Sequence, residues 1–203
     1  MIGLCEVDAL LLPDGEVPFM NDIESGGSLT GLKELDWFRS YFRPHFDDWI
    51  FGPINRLVCS SEDALIGFVF MACAIDYLAG FWWGKSTKRH SKDAYIGFID
   101  EYFPKGQYDA HGLYDSLRNG LVHMFTIKGK KYALVDKLHG FHLQVSEEGQ
   151  IILNAEDFRD DLLEAKEKYF DEVEARHDLL DKWWERYNRE GFLDKAPFDL
   201  QSR

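Results

Sequence analysis

Residues 114–125 read YDSLRNGLVHMF, and leucine or phenylalanine recurs every four residues at positions 113, 117, 121 and 125. This spacing predicts a helix with one apolar face. The same helix carries Arg118, Asn119 and His123. Asn119 and His123 are four residues apart and share a face, whereas Arg118 and His123 are separated by about 140° around the helix axis. Arg118 can therefore reach His123 only if its long side chain leans across the helix.

Arg118 and His123 have side chains that suit chemistry at a phosphate. An arginine is a permanent cation that can bind a phosphate bidentately, and a histidine can transfer a proton near neutral pH. Because the two are offset on one helix, one copy makes an incomplete site. We expect two copies of the helix, facing each other across a symmetry axis, to complete it.

The segment Arg118-Asn119-Gly120-Leu121-Val122-His123 resembles the Arg-x4–6-His signature of HEPN domains. Members of that family are helical bundles that usually dimerise through the helices bearing this motif. Many are metal-independent endoribonucleases of toxin, defence or RNA-processing systems, and others have lost activity. The resemblance implies catalytic roles for Arg118, Asn119 and His123. It also implies an acid on a preceding helix, for which Asp76 is the candidate, and a 2′,3′-cyclic phosphate as product.

The run Ala64–Trp83 has a single charged residue, Asp76. Its length would allow it to span a bilayer, and in a soluble protein it would be a helix buried on all sides. A charge in mid-segment and several small residues favour the buried helix, so we expect no membrane association. A lone carboxylate in apolar surroundings needs a partner, which is either Arg118 or a nearby tyrosine or backbone group.

The amino-acid composition limits the functions that this protein can have. Its 203 residues, 45% of them apolar, can bury a substantial core. The formal charge of −13 disfavours non-specific binding of long nucleic acids, so a ribonuclease would need a basic patch on its surface. The strongest basic cluster, and our candidate for substrate binding, consists of Lys85, Lys88, Arg89 and Lys92.

Other motifs are missing from the sequence. Cys5, Cys59 and Cys73 form no Cys-x-x-Cys pair, which fits a reducing cytosol, and no signal peptide is evident, so we expect a cytoplasmic protein. Neither a His-x3-His nor a His-Glu-x-x-His pattern occurs, and no glycine-rich phosphate loop is present. We therefore expect no metal and no cofactor.

Signals at the ends of the elements predict the remaining fold. A helix beginning near Leu29 should kink or break at Pro44, and Pro104 should end another that begins at Ser91. Beyond position 125 the periodicity changes to that of short strands, which predicts a small antiparallel insertion at about 126–153. One long helix should follow from Asn154 to about Arg189.

These signals predict a mainly α, up-and-down helical bundle with a small antiparallel β insertion before the C-terminal helix. Residues 1–28 would form an N-terminal arm, 29–190 one HEPN-like domain and 191–203 a loose tail. One functional hypothesis is a homodimeric ribonuclease acting on RNA, in a toxin or defence system with a protein partner such as an antitoxin. The other is an inactive helical module that binds a protein partner or a nucleotide. The acidic charge favours the second hypothesis, and the intact motif favours the first.

Overall fold

A computed structural model describes residues 30–60, 63–137 and 140–190, so the predicted arm and tail lie outside the described residues. The described chain is mainly helical, as predicted. Its elements are α1 (residues 30–59), α2 (Ala64–Trp83), α3 (Ser91–Tyr102), α4 (residues 110–124), β1 (Tyr132–Val135), β2 (Ile151–Asn154), α5 (Ala155–Ala175) and α6 (His177–Glu190).

The apolar helix α2 lies at the centre of the bundle and contacts α1, α3, α4, α5 and α6. By length and composition it could cross a membrane, but 56% of its most apolar window is buried against the rest of the protein. Gly67 permits a close approach to α1, because a Cβ there would lie 3.0 Å from Val58 Cγ2. One face remains open, with Leu65, Ile66 and Phe70 all more than 40% exposed.

Helix α1 continues through two prolines, so of the predicted alternatives at Pro44, a kink or a break, the break is wrong. Pro44 and Pro53 each follow a wide π-helical turn, formed by Phe38–Phe42 and by Asp47–Phe51. In the first turn, the Arg43 N–H donates to the Phe38 carbonyl, five residues back. A proline in a regular α-helix collides with the carbonyl four residues before it, and the wider turn moves that carbonyl aside.

The sheet consists of two strands, and they are parallel, so the predicted antiparallel pairing is wrong. Tyr132 of β1 pairs with Ile151 of β2. The other edge of β2 faces the preceding segment, where Val145 forms an isolated antiparallel bridge with Ile151. Around residues 148–149, the chain turns and the Ser146 N–H donates to the Gln150 carbonyl at 2.8 Å. Residues 145–151 therefore form a short antiparallel hairpin. It does not extend to a full strand, because Leu143 has a left-handed φ of 62°.

The predicted single C-terminal helix is in fact two helices. Helix α5 begins after Asn154, as predicted, but the chain is extended at Arg176, where φ is −122° and ψ is 115°. The Arg176 side chain bridges the break by binding Glu172 at 3.2 Å and Asp178 at 3.0 Å. The break allows α6 to turn and pack against both α1 and α2.

Aromatic side chains fill the space between these helices. Phe42 of α1 lies between Phe170 of α5, at a ring-centroid distance of 6.0 Å, and Trp183 of α6, at 4.9 Å. Such edge-to-face contacts add to the stabilisation from burial alone. This packing fixes α6 against α1 and α5 and so determines which of its residues lie beside α2.

Candidate functional site

Local hydrogen bonds define the helix that carries the motif, α4. At its start, Oδ1 of Asp109 accepts the Gly112 N–H at 3.0 Å, as expected for a helix cap. Residues Leu113–Arg118 form a π-helical turn in which the Asn119 N–H donates to the Tyr114 carbonyl. Wide turns of this kind are frequent at functional sites. Here the turn ends at Arg118 itself.

The far end of α4 is held in place by the segment that follows it. Phe125 ends the helix in the left-handed conformation, with a φ of 52°. The Lys128 N–H then donates to the carbonyl of Ser116 at 3.0 Å. This path requires glycine at position 120, because a Cβ there would lie 2.3 Å from the Thr126 carbonyl oxygen. The glycine inside the motif therefore lets the chain fold back along α4.

Arg118 joins the predicted catalytic residues. Its Nη2 donates to Oδ2 of Asp76 at 2.8 Å, and its Nη1 lies 3.0 Å from Oδ1 of Asn119 and 3.2 Å from Nε2 of His123. Of the two partners considered for Asp76, the structure selects Arg118. The Arg118 side chain does lean across the helix, so one copy of α4 suffices to bring the arginine and the histidine into contact.

Burial strengthens the pair formed by Asp76 and Arg118. Their side chains are 31% and 17% exposed, respectively. Burial by itself lowers the pKa of Arg118, but its hydrogen bond to Asp76 and the charge of that carboxylate raise the pKa further, with a net increase. The Tyr114 ring centroid lies 5.5 Å from Cζ of Arg118, a distance suited to a cation–π contact. Arg118 is thus a fixed, permanent cation.

The contact with Arg118 assigns a hydrogen-bond role to Nε2 of His123. A guanidinium has no hydrogen-bond acceptor, so Nε2 of His123 must accept in this contact. A neutral imidazole then carries its proton on Nδ1. Since the His123 side chain is exposed, a bound phosphate can replace it as the partner of Arg118 Nη1 and leave Nε2 available as a base.

Asp76 and Arg118 line a cleft with a volume of about 210 Å³. Sequence reasoning had not included five of its lining residues: Cys73, Tyr77, Thr87, Val122 and Arg186. Cys73 is exposed, but partial desolvation, followed by the charge of Asp76, raises the pKa of its thiol. No motif pointed to Arg186, because it reaches the cleft from α6 only in the folded chain.

Three of the four predicted substrate-binding residues lie in the segment 84–90, and the fourth, Lys92, lies on α3. None of the four lines the cleft, although Thr87 of that segment does. Two of the four have other contacts. Lys92 binds Asp115 of α4 at 2.9 Å, and Nζ of Lys85 lies 5.6 Å from the centroid of the Trp83 ring. Lys88 and Arg89 are exposed and have no ion pair with any residue that the structure describes.

Within residues 30–60, 63–137 and 140–190, no group of three or more His, Cys, Asp or Glu side chains is arranged to hold a metal ion. No family model, curated protein or solved structure matches the chain. The resemblance to HEPN domains accordingly rests on the motif and stays a prediction.

Proposed function

We propose that the protein is a HEPN-like, metal-independent endoribonuclease. The observation that carries the proposal is the hydrogen-bonded series from Asp76 through Arg118 to His123, with the first two residues lining an open cleft. A permanent cation, a carboxylate that orients it and an exposed imidazole supply what a nuclease without metal requires. We further infer a cytoplasmic homodimer of a toxin or defence system, with an antitoxin as protein partner.

RNA carries its own nucleophile, so the proposed reaction needs only proton transfer and charge stabilisation. Nε2 of His123 takes the proton of the 2′-hydroxyl, and the 2′-oxygen attacks the adjacent phosphorus. The bond from phosphorus to the 5′-oxygen breaks, and that oxygen receives a proton from His123 of the second copy, which must start in its imidazolium form. The products are a 2′,3′-cyclic phosphate and a 5′-hydroxyl. Arg118 binds the non-bridging oxygens, and Asn119 orients the arginine or the phosphate.

The end of α4 supports dimerisation through this helix. Met124 and Phe125 directly follow His123, and their side chains are 56% and 70% exposed. Two adjacent apolar side chains in contact with water favour a protein interface. An interface here would bring the two copies of His123 towards each other, as the acid–base mechanism requires.

Two observations favour the alternative of an inactive helical module that binds a protein or a nucleotide. Arg118 already has three side-chain partners, and the chain carries a formal charge of −13. A guanidinium held in this way can serve mainly to join α2 to α4. In that case the cleft would be a binding surface without chemistry.

The test is incubation of the purified protein with mixed RNA, with and without a chelator. His123→Ala should lower the cleavage rate by about 10²–10⁴-fold, the usual effect of losing a proton-transfer group. Arg118→Ala should nearly abolish cleavage and Asn119→Ala should cost less, while the chelator should change nothing. The matched control is His111→Ala, which removes another exposed histidine of α4. Equal cleavage by wild type and His123→Ala, or cleavage by neither, would leave the binding module as the better hypothesis.

A further inference from the structure

A lysine-rich segment packs along the face of α4 that carries His123. Residues 126–131, TIKGKK, follow the helix and are called the lysine loop below. The Lys128 N–H donates to the carbonyl of Ser116 at 3.0 Å, and a Cβ on Gly120 would lie 2.6 Å from the same nitrogen. Ser116, Gly120 and His123 follow one another at intervals of four and three residues, so they share one face of α4. The lysine loop therefore lies directly beside the exposed histidine of the motif.

The cleft lies on the other side of His123. Arg118 and Val122 line the cleft, and their spacing of four residues places them on one face of α4. His123 is about 100° further around the helix axis than Val122, and Gly120, which the lysine loop covers, is about 60° beyond His123. In the remaining direction around the helix, Leu121 is buried in the core. On the exposed surface of α4, His123 therefore separates the cleft from the lysine loop.

Two side chains of the lysine loop are positioned to bind a phosphate. Lys128 and Lys130 are exposed, and in the described part of the chain neither forms an ion pair. Lys131 pairs instead with Asp109 at the start of α4, which fastens the end of the loop to the helix. A Cβ on Gly129 would have no atom within 4 Å, so the tip between the two exposed lysines is open to a ligand. In a chain of net charge −13, this loop is a local positive site that attracts phosphate.

We propose that Lys128 and Lys130 bind the RNA phosphate next to the one held by Arg118, on the far side of His123 from the cleft. This inference rests on the proposed function and deepens it, because it defines the substrate as a chain with at least two consecutive phosphodiesters that crosses α4. The ammonium groups sit on flexible four-carbon stems, which lets them follow the phosphate. They take no part in the proton transfers and hold the substrate equally in the ground state and the transition state. Their loss should therefore raise KM and leave kcat nearly unchanged.

The direct test measures binding separately from cleavage. The probe is a fluorescent 2′-O-methyl RNA of about ten nucleotides, which lacks the nucleophile, and its affinity is measured by anisotropy over a range of salt concentrations. Lys128→Ala and Lys130→Ala should each weaken binding by about 2–10-fold and flatten the slope of log K against log salt by about 0.7. Lys130→Arg should keep the wild-type slope, because it keeps the charge.

The matched control is Lys168→Ala, which changes the net charge of the protein by the same amount. Lys168 is an exposed lysine of α5 that forms an ion pair with Glu164. Its loss should leave both the affinity for the probe and the salt dependence unchanged. Light scattering and urea unfolding of each variant separate a loss of phosphate binding from a loss of assembly or of fold.

The outcomes distinguish this proposal from the proposed function. If the double variant Lys128→Ala/Lys130→Ala binds the probe with wild-type affinity and salt dependence, the phosphate site is overturned. Binding that depends on the two lysines, without cleavage of unmodified RNA, supports the phosphate site and refutes the proposed function. Cleavage whose KM does not depend on the two lysines refutes the phosphate site alone, and a wild-type protein that fails to bind the probe refutes it as well.

Discussion

The ion pair between Asp76 and Arg118 should contribute substantially to stability, and its contribution can be isolated. Asp76→Asn and Arg118→Gln each remove one charge while keeping a polar side chain of similar size. Neither change isolates the pair, because each leaves the other charge partly buried. The coupling free energy from the double-mutant cycle removes that background.

The size of the coupling follows from distance and exposure. Two unit charges about 4 Å apart interact by about 1 kcal/mol in water and by about 4 kcal/mol at an effective dielectric constant near 20. The side chains of Asp76 and Arg118 are 31% and 17% exposed. The interaction energy of this partly buried pair should therefore lie between these two limits. We expect a coupling free energy of about 2 kcal/mol, the usual range for hydrogen bonds to charged groups. In a chain of this size, that corresponds to a shift in Tm of about 4–8 °C.

The pair between Lys92 and Asp115 is the internal control. It also joins another helix to α4, with Nζ of Lys92 at 2.9 Å from Oδ2 of Asp115. The two side chains are 42% and 55% exposed. Its coupling should be only about 0.2–1 kcal/mol. The measurement is the free energy of unfolding in urea for both complete cycles. A coupling at Asp76–Arg118 no larger than that at Lys92–Asp115 would refute the argument from burial.

Three further predictions concern other parts of the molecule. Gly120→Ala should destabilise the fold by about 1–3 kcal/mol in thermal unfolding, because its Cβ would strike backbone atoms, whereas Gly52→Ala, with no contact closer than 3.5 Å, should be neutral or stabilising. Burial lowers the pKa of His142, so below about pH 6.5 the unfolded chain takes up a proton that the folded chain does not, and stability should fall as the pH drops. In urea unfolding, the free energy of unfolding of His142→Gln should fall less between about pH 7.5 and about pH 5.5 than that of the wild type. If the variant shows the same pH dependence as the wild type, this histidine is not the cause. The chain should dimerise in light scattering and Phe125→Asp should weaken the dimer; a wild-type monomer at micromolar concentration would remove the case for a composite site.

Local signals predicted several elements correctly. The apolar run and the helix share the bounds Ala64–Trp83, and the helix ends at Gly84, whose φ of 77° suits glycine. The start of α5 after Asn154 was also predicted from local sequence signals. For the candidate site, the motif pointed to Arg118 and His123, the lone charge in α2 pointed to Asp76, and the structure brings the three side chains into contact.

The errors concern features that local patterns do not encode. Val173 and Leu180 are both buried and seven residues apart, a spacing that a continuous helix would also show, so the break at Arg176 was invisible. The parallel pairing of β1 and β2 depends on how the intervening segment returns across the sheet, and alternation along a strand does not carry that information. Arg186 was missed because only tertiary packing brings α6 to the cleft.

The π-helical turn Leu113–Arg118 makes the site tolerant of one change in chain length. A π turn holds one residue more than a regular turn, so deleting one residue between positions 113 and 118 would leave an ordinary α-helix. Because the wide turn absorbs that extra residue, the helix on either side of it would keep its orientation. Arg118, at the end of the turn, would then stay aligned with Asp76. Homologous chains that keep both side chains but lack one residue in this interval can therefore share the site.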